Sequence, residues 1–354
     1  MPIREIYLDF IRGIAILLAM GWHFNNTLTG VWGIDLFLTP GREIGWAGVD
    51  LFFVLSGFLI GGLIFNEYQK TGNFRVARFL IRRAFKIWPI LYLYLILLLV
   101  SGRYSWESFL IQNIFHVQNY FVTPVAHLWS LAVEEHFYLL FAFGLMILIR
   151  SKAKNLRVFA IILPVVLVVA AILRIVAYYY SVDPHQIQIQ TQFRVDALAA
   201  GVLLAYVKTF HQEKFDYLSE RKIFTGFLVL AGIYSLVHFK EIEYFKYTAG
   251  YTISYLTGVA FLLFCRKLHF IEARNFVVNS IAWIGIYSYA MYVYQFVMIR
   301  IVDALLKKFD IPPLSGAIDL FIKYAGAIIL AVLLTKLVER PCLSLRDKMF
   351  PSYS

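Results

Sequence analysis

Ten stretches of this chain stay apolar for long enough to cross a bilayer, near 6–28, 46–66, 83–101, 127–149, 157–180, 192–209, 222–239, 248–265, 278–300 and 315–338. A helix needs about 20 such residues to span the hydrocarbon core. The composition agrees: 60% of the 354 residues are hydrophobic and only 16% are charged, more apolar surface than a soluble chain of this length needs. The expected fold class is therefore all-α, a polytopic membrane protein of about ten transmembrane helices. The longest connection, near 101–126, is too short to fold separately. With no internal repeat, low-complexity tract or Gly/Ser linker, the expectation is one transmembrane domain over 1–354 and no appended soluble domain.

A formal charge of +11 raises nucleic acid as a partner, but the placement of the basic residues speaks for topology instead. Alternate connections hold most of them: Lys70, Arg75, Arg78, Arg82, Arg83 and Lys86; then Arg150, Lys152, Lys154 and Arg157; then Lys208, Lys214, Arg221 and Lys222; then Arg266, Lys267 and Arg274. The intervening connections carry Arg42 alone, Arg103 alone, none in 178–193, and then Lys240 and Lys246. Only the last, with Arg300, Lys307 and Lys308, competes. Lys and Arg accumulate on the cytoplasmic side, so both termini are expected inside and no nucleic-acid partner is expected. The first apolar stretch is too long for a signal-peptide core, contains Asp9 and Arg12, and is followed by no small-residue cleavage site. Cys265 and Cys342 both fall on the expected cytoplasmic side, so neither a disulfide nor a metal site is expected.

Polar residues inside the spans carry the functional signal. A charge at a helix centre costs about 2.5–3.5 kcal/mol on insertion scales, and those retained usually face an interior cavity. The candidates are Asp9, Arg12, His23, Asp50, Glu134, Glu135, His136, Arg174, Arg194 and Asp196. Arg12 and His23 stand eleven residues apart, roughly 20° apart on the helical wheel and about 16 Å along the axis. They form one polar stripe through about half the hydrocarbon, or else an Arg snorkelling at one interface and a structural His at the other. In HLWSLAVEEHFY, residues 127–138, spacing puts His127 and Glu134 on one face with Ser130 nearby and Glu135 flanking. A carboxylate beside an imidazole raises its basicity, which general-base chemistry requires; an ion pair with Arg174 or Arg194 is the alternative. In GVDLFFVLSGFLIGG, Gly57 and Gly61 form a small-residue pair that admits a neighbouring helix, and Asp50 is a polar anchor near the outer surface. RRAFKIWP (82–89) is open to two readings. Arg82, Arg83 and Lys86 suit the phosphates of an anionic cytosolic ligand, and equally satisfy the positive-inside rule.

The chain lacks a Walker-A loop, a G-x-S-x-G elbow, an HExxH motif and a dinucleotide-binding glycine fingerprint. A secondary transporter or lipid-linked glycan flippase would also use intramembrane charges, but repeated halves with matching broken helices are not evident. A haem or quinone protein would call on His23, His127 and His136, which show no pattern of facing pairs.

Taken together, LDFIRGIAILLAMGWHF with its R-x10-H pattern, GVDLFFVLSGFLI, RRAFKIWP, HLWSLAVEEHFYLL, FRVDALAAG (193–201), YSYAMYVYQ (287–295) and VERP (338–341) resemble the acyltransferase 3 family of integral-membrane acyltransferases, in the family's order and over nearly the whole chain. The resemblance implies transfer of an acyl group, usually acetyl from acetyl-CoA, to a hydroxyl of a glycan or glycolipid at the outer face of a bacterial inner membrane. Carried over residue by residue, it marks Arg12 and His23, Asp50, and Glu134 and Glu135 as catalytic, and places Arg83 and Lys86 in the basic motif, to which Arg82 also belongs. The implied partners are acyl-CoA as donor substrate, a carbohydrate or glycolipid acceptor, and membrane lipid, with no tightly bound cofactor or metal. Three positions depart from the family pattern: Lys86 where Arg is frequent, His136 in place of Gln, and Gln295 where a His often follows the Ser-Tyr motif.

Overall fold

The computed structural model describes residues 5–24, 29–102, 104–150, 156–310 and 316–351; Arg103, Lys152 and Lys154 lie outside the described residues. Among the described residues there is no strand. The helices of eleven residues or more are, in chain order, α1 (Ile6–Phe24), α2 (Trp32–Ile44), α3 (Gly48–Thr71), α4 (Val76–Val100), α5 (Trp129–Arg150), α6 (Phe159–Tyr179), α7 (Thr191–Phe210), α8 (Lys222–His238), α9 (Tyr251–Cys265), α10 (Phe276–Ile286), α11 (Ser288–Lys308) and α12 (Gly316–Leu334).

Eight helical runs among the described residues are long and apolar enough to cross a membrane. The expected spans at 192–209 and 222–239 are helical too, as α7 and α8, but are not among the eight: α7 carries Arg194, Asp196 and Lys208, and α8 has 17 residues. The expected span 278–300 is not one helix. It divides at Tyr287 into α10 and α11. Hydropathy averaged along a segment does not register a break made by one residue's backbone, here φ −100° and ψ 3°. His127 also departs from expectation. It sits in a 3-10 turn, Ala126–Leu128, that precedes α5, so regular α-helical spacing does not carry from His127 to Glu134.

Outward and buried faces follow lipid rather than water. Along α6, Ile161, Val165, Val168 and Ile172 are exposed at helical spacing, while Arg174 on the same helix is fully buried. Apolar side chains outside and a charge within is the pattern a bilayer selects.

The chain divides into two compact units. Of the described residues, the first comprises those within Met1–Val49, Ala84–Leu97 and His269–Ser352, and the second those within Asp50–Arg83 and Leu98–Leu268. In the first, α1 and α10 cross in near-contact of their backbones. A Cβ at Gly13 would overlap the carbonyl of Ile281, and one at Gly285 the carbonyl of Asp9. In the second, α3 and α7 do the same. A Cβ at Gly57 would overlap the Leu198 carbonyl, and one at Gly201 the Val54 carbonyl. Gly61 continues the crossing, with a would-be Cβ 3.0 Å from that of Ala205. The helix expected to approach Gly57 and Gly61 is thus α7.

The connection before α5 packs inward. Asn113, His116, Gln118 and Asn119 are all buried, and Gln118 Nε2 donates to the Leu128 carbonyl at 2.9 Å. Burial, and secondarily the nearby His136, holds the His116 imidazole down at about 4, so it is neutral at physiological pH.

The α3–α7 crossing makes a direct prediction. Gly57→Ala should lower the melting temperature of detergent-purified protein, since overpacking costs about 1–3 kcal/mol. Gly62→Ala, where nothing lies within 4 Å of the added methyl, should leave it unchanged. Equal melting temperatures would refute the crossing.

Candidate active site

In the second unit, two buried ion pairs join three helices, and a hydrogen bond from one of them reaches a fourth. Arg194 on α7 pairs with Asp50 on α3. Arg174 on α6 donates from Nη1 to Asp196 Oδ2 at 2.7 Å and to the Phe193 carbonyl at 2.6 Å, and from Nη2 to Thr252 Oγ1 on α9 at 2.7 Å. The Arg194 guanidinium also lies 3.6 Å from the Tyr251 ring centre and 5.2 Å from that of Trp129. Isolated charges could not remain here; paired and stacked ones can. Both arginines offered as partners for Glu134 are therefore held by aspartates. Arg194 Nη1 has no hydrogen-bond partner among the described residues.

Glu134 has a different partner. Tyr138, one turn further along α5, donates its hydroxyl to Glu134 Oε2 at 2.8 Å, and its oxygen lies 2.5 Å from Ser56 Oγ on α3. The Arg83 guanidinium stands 5.3 Å from the Tyr138 ring centre. A basic-motif arginine, a tyrosine, a double-Glu carboxylate and a serine hydroxyl therefore meet in one cluster of the second unit. Hydrogen-bonded hydroxyls ending on a carboxylate can orient that carboxylate or pass a proton along the chain. Glu135 is buried, and its Oε1 has no hydrogen-bond partner among the described residues.

The first unit holds Arg12, His23 and Lys86. Helix α1 runs unbroken between Arg12 and His23, so the two keep the helical spacing inferred from sequence. Arg12 lies 3.4 Å from buried Asp9, one turn earlier. His23 packs edge-on to Phe296 of α11 with ring centroids 4.9 Å apart. Lys86 pairs with Glu339, the acid of VERP, which is buried at the end of a π-helical turn spanning Thr335–Glu339. Pro341 explains the wide turn, because it lacks an N–H and its ring crowds the preceding turn. The Tyr289 hydroxyl donates to the Ile87 carbonyl at 2.6 Å, so the Ser-Tyr motif grips the basic one. Gln295 is fully buried, and neither amide atom has a partner among the described residues.

A family model described as an acyltransferase domain matches residues 5–336. The chain belongs to the acyltransferase 3 family. Among curated relatives it is 25% identical to the peptidoglycan O-acetyltransferase OatA of Listeria monocytogenes over 94% of its own length and 55% of that protein's. It is likewise 25% identical to the O-acetyltransferase OatA of Staphylococcus aureus, over 98% of its own length and 58% of that protein's. The chain thus spans little more than half the length of these relatives. No solved structure matches. Within this acyltransferase domain, Tyr138 and Ser56 escaped the sequence reading. Tyr138 was legible as the residue four after Glu134, on its face. Ser56 had no local signal, since 82 residues separate it from Tyr138.

Removing one partner of the Asp50–Arg194 pair should cost about 3–5 kcal/mol by stranding a buried charge. Asp50→Ala is expected to lower the melting temperature sharply, and Asp50→Ala with Arg194→Leu to recover part of it. Strictly additive losses in detergent melts would show that the two do not act as a pair.

Proposed function

We propose that this domain is a membrane-embedded O-acyltransferase of the bacterial inner membrane. It moves an acyl group, acetyl in the simplest case, from cytosolic acyl-CoA to a hydroxyl of a cell-surface glycan or glycolipid precursor. The observation that carries the reading is the cluster in which Arg83, Tyr138, Glu134 and Ser56 converge beside the open carboxylate of Glu135. Family membership and relatives named as O-acetyltransferases support it.

In this reading the acceptor oxygen attacks the thioester carbonyl, the C–S bond breaks, and the acceptor's proton ends on the departing CoA sulfur. His23 removes that proton as general base, and Arg12, nearer the cytosol on the same stripe, holds the donor. Arg82, Arg83 and Lys86, from consecutive turns of α4, contact the CoA phosphates. Lys86 is a point charge already shared with Glu339, so Arg83 supplies the bidentate contact. In the second unit, Glu134 and Glu135 supply the carboxylates beside Tyr138. Asp50 acts as a positioning residue through Arg194. No tightly bound cofactor or metal is required.

Detergent-purified variants test these roles separately. His23→Ala should keep CoA affinity in calorimetry and lose about 10²–10⁴-fold in acyl transfer per molecule. Arg12→Ala should weaken donor binding. His23→Ala working at the parental rate would remove the general base from the scheme. Replacing Arg82, Arg83 and Lys86 together by Gln should raise the KM for acetyl-CoA while the protein still inserts. An unchanged KM with lower membrane abundance would leave these residues with a topological role alone. Failure of radiolabelled acetyl-CoA to label any acceptor would favour a transporter or flippase.

A further inference from the structure

The last helical run is too long for the membrane it enters. Gly316–Met349 is 34 residues of continuous helix: α12, the π turn, and then α13 (Arg340–Met349). At 1.5 Å per residue it measures about 50 Å, against a hydrocarbon core of about 30 Å. Tilt does not absorb the difference, because even a 40° tilt leaves about 39 Å along the bilayer normal. Part of the run therefore lies outside the hydrocarbon. Lys336, Arg340, Arg346 and Lys348 gather at its C-terminal end and mark that part.

The exposed residues form two parallel lines. Ile329, Leu333, Leu337, Pro341, Leu345 and Met349, each four after the last, are apolar and exposed. One position earlier, Lys336, Arg340, Ser344 and Lys348 are exposed as well. The inner edge of α13 is seated on protein: Cys342, Leu343, Arg346 and Phe350 are half-buried, and the Phe350 ring centre lies 6.2 Å from that of Phe85. Each step of four moves a line about 40° round a regular α-helix, so five steps would wind it about 200° away. The π turn at Thr335–Glu339 takes in one extra residue and sets the line back by about 100°. The apolar line thus stays within the ~100° face of an amphipathic helix, and one face runs from α12 into α13.

Two observations choose what covers this face. It continues the face that α12 turns to lipid, and cations border it. Lys336, Arg340 and Lys348 form no ion pair among the described residues, whereas Asp347, the acid of α13, is held by Arg346 Nη2 at 2.8 Å. An apolar edge beside a basic edge, on a helix that has left the hydrocarbon, suits the membrane interface rather than water. We propose that α13 lies in the plane of the membrane surface, seated on anionic phospholipid. Leu345 and Met349 reach the acyl boundary, and Lys336, Arg340 and Lys348 meet the lipid phosphates. The seat adjoins the VERP motif, since Glu339, which pairs with Lys86, directly precedes α13. The proposal needs only a membrane protein and stands apart from the acyl-transfer reading.

Nitroxide labels at Ser344→Cys, Leu345→Cys and Met349→Cys, each in the full chain carrying Cys342→Ser, would be read in nanodiscs by power saturation. Oxygen concentrates in lipid and a nickel chelate in water, so the ratio of their access reports depth. With phosphatidylcholine and phosphatidylglycerol mixed, the oxygen-to-nickel ratio should be several-fold higher at residues 345 and 349 than at 344. Replacing Lys336, Arg340 and Lys348 together by Gln should lower the ratio at 345 several-fold, as should phosphatidylcholine alone for the parent. Arg340→Lys/Lys348→Arg, which keeps both charges, should retain the parental ratio and guards against a misfolded triple variant. Nickel-favoured access at 345 and 349 would put α13 in water, and access by neither reagent would mean that protein covers the face. Either result overturns the proposal. A ratio indifferent both to phosphatidylglycerol and to the three cations overturns the anionic seat.

Discussion

Two buried ion pairs, Arg194 with Asp50 and Arg174 with Asp196, are the constraint on which the second unit depends. All four residues are almost wholly excluded from solvent. Each unpaired charge would cost several kcal/mol in such surroundings, so the pairs tie α3 and α6 to α7. The pairs explain how α7, too charged to count as a span by composition, stands among lipid-facing helices. They act together with the glycine contacts. Gly57 and Gly201 let α3 and α7 approach until side chains as short as Asp50 can reach across.

With those charges paired among themselves, the groups available for chemistry stand out. Glu134 accepts from Tyr138, and Glu135 Oε1 has no hydrogen-bond partner among the described residues. Tyr138 links three segments far apart in sequence, namely the serine of α3, the basic start of α4 and the double-Glu motif of α5. Such a linkage lets the charge state of Glu134 and the position of Arg83 influence each other through one hydroxyl-bearing ring. In the first unit, Lys86 and Glu339 make a comparable link between the basic motif and VERP. A lysine serves that pair well because a single point charge can satisfy the buried acid and still offer further donors outward.

The motifs that carry the family resemblance therefore meet in pairs: GVDLFF with FRVDALAAG through Asp50 and Arg194, and RRAFKIWP with both YSYAMYVYQ and VERP. His136, one of the departures from the family pattern, has a visible task as well. It holds Thr191 and so the start of α7, which a half-buried imidazole can do with one ring nitrogen.

What could be read from sequence was what is local. Runs of apolar residues set the helices, Lys/Arg bias set the expected sidedness, and the cost of charge in lipid singled out the inward-facing residues. The eleven-residue spacing of Arg12 and His23 is a helical spacing because α1 is continuous. Periodicity could not foresee that His127 precedes its helix or that a span breaks at Tyr287, since each turns on the backbone angles of one or two residues. Nor could it choose partners. Asp50 and Arg194 are 144 residues apart, Lys86 and Glu339 are 253 apart, and a helical wheel says which side of a helix is polar but not which helix faces it. That choice belongs to packing, where close-approaching glycines and the penalty for an unpaired buried charge select one arrangement.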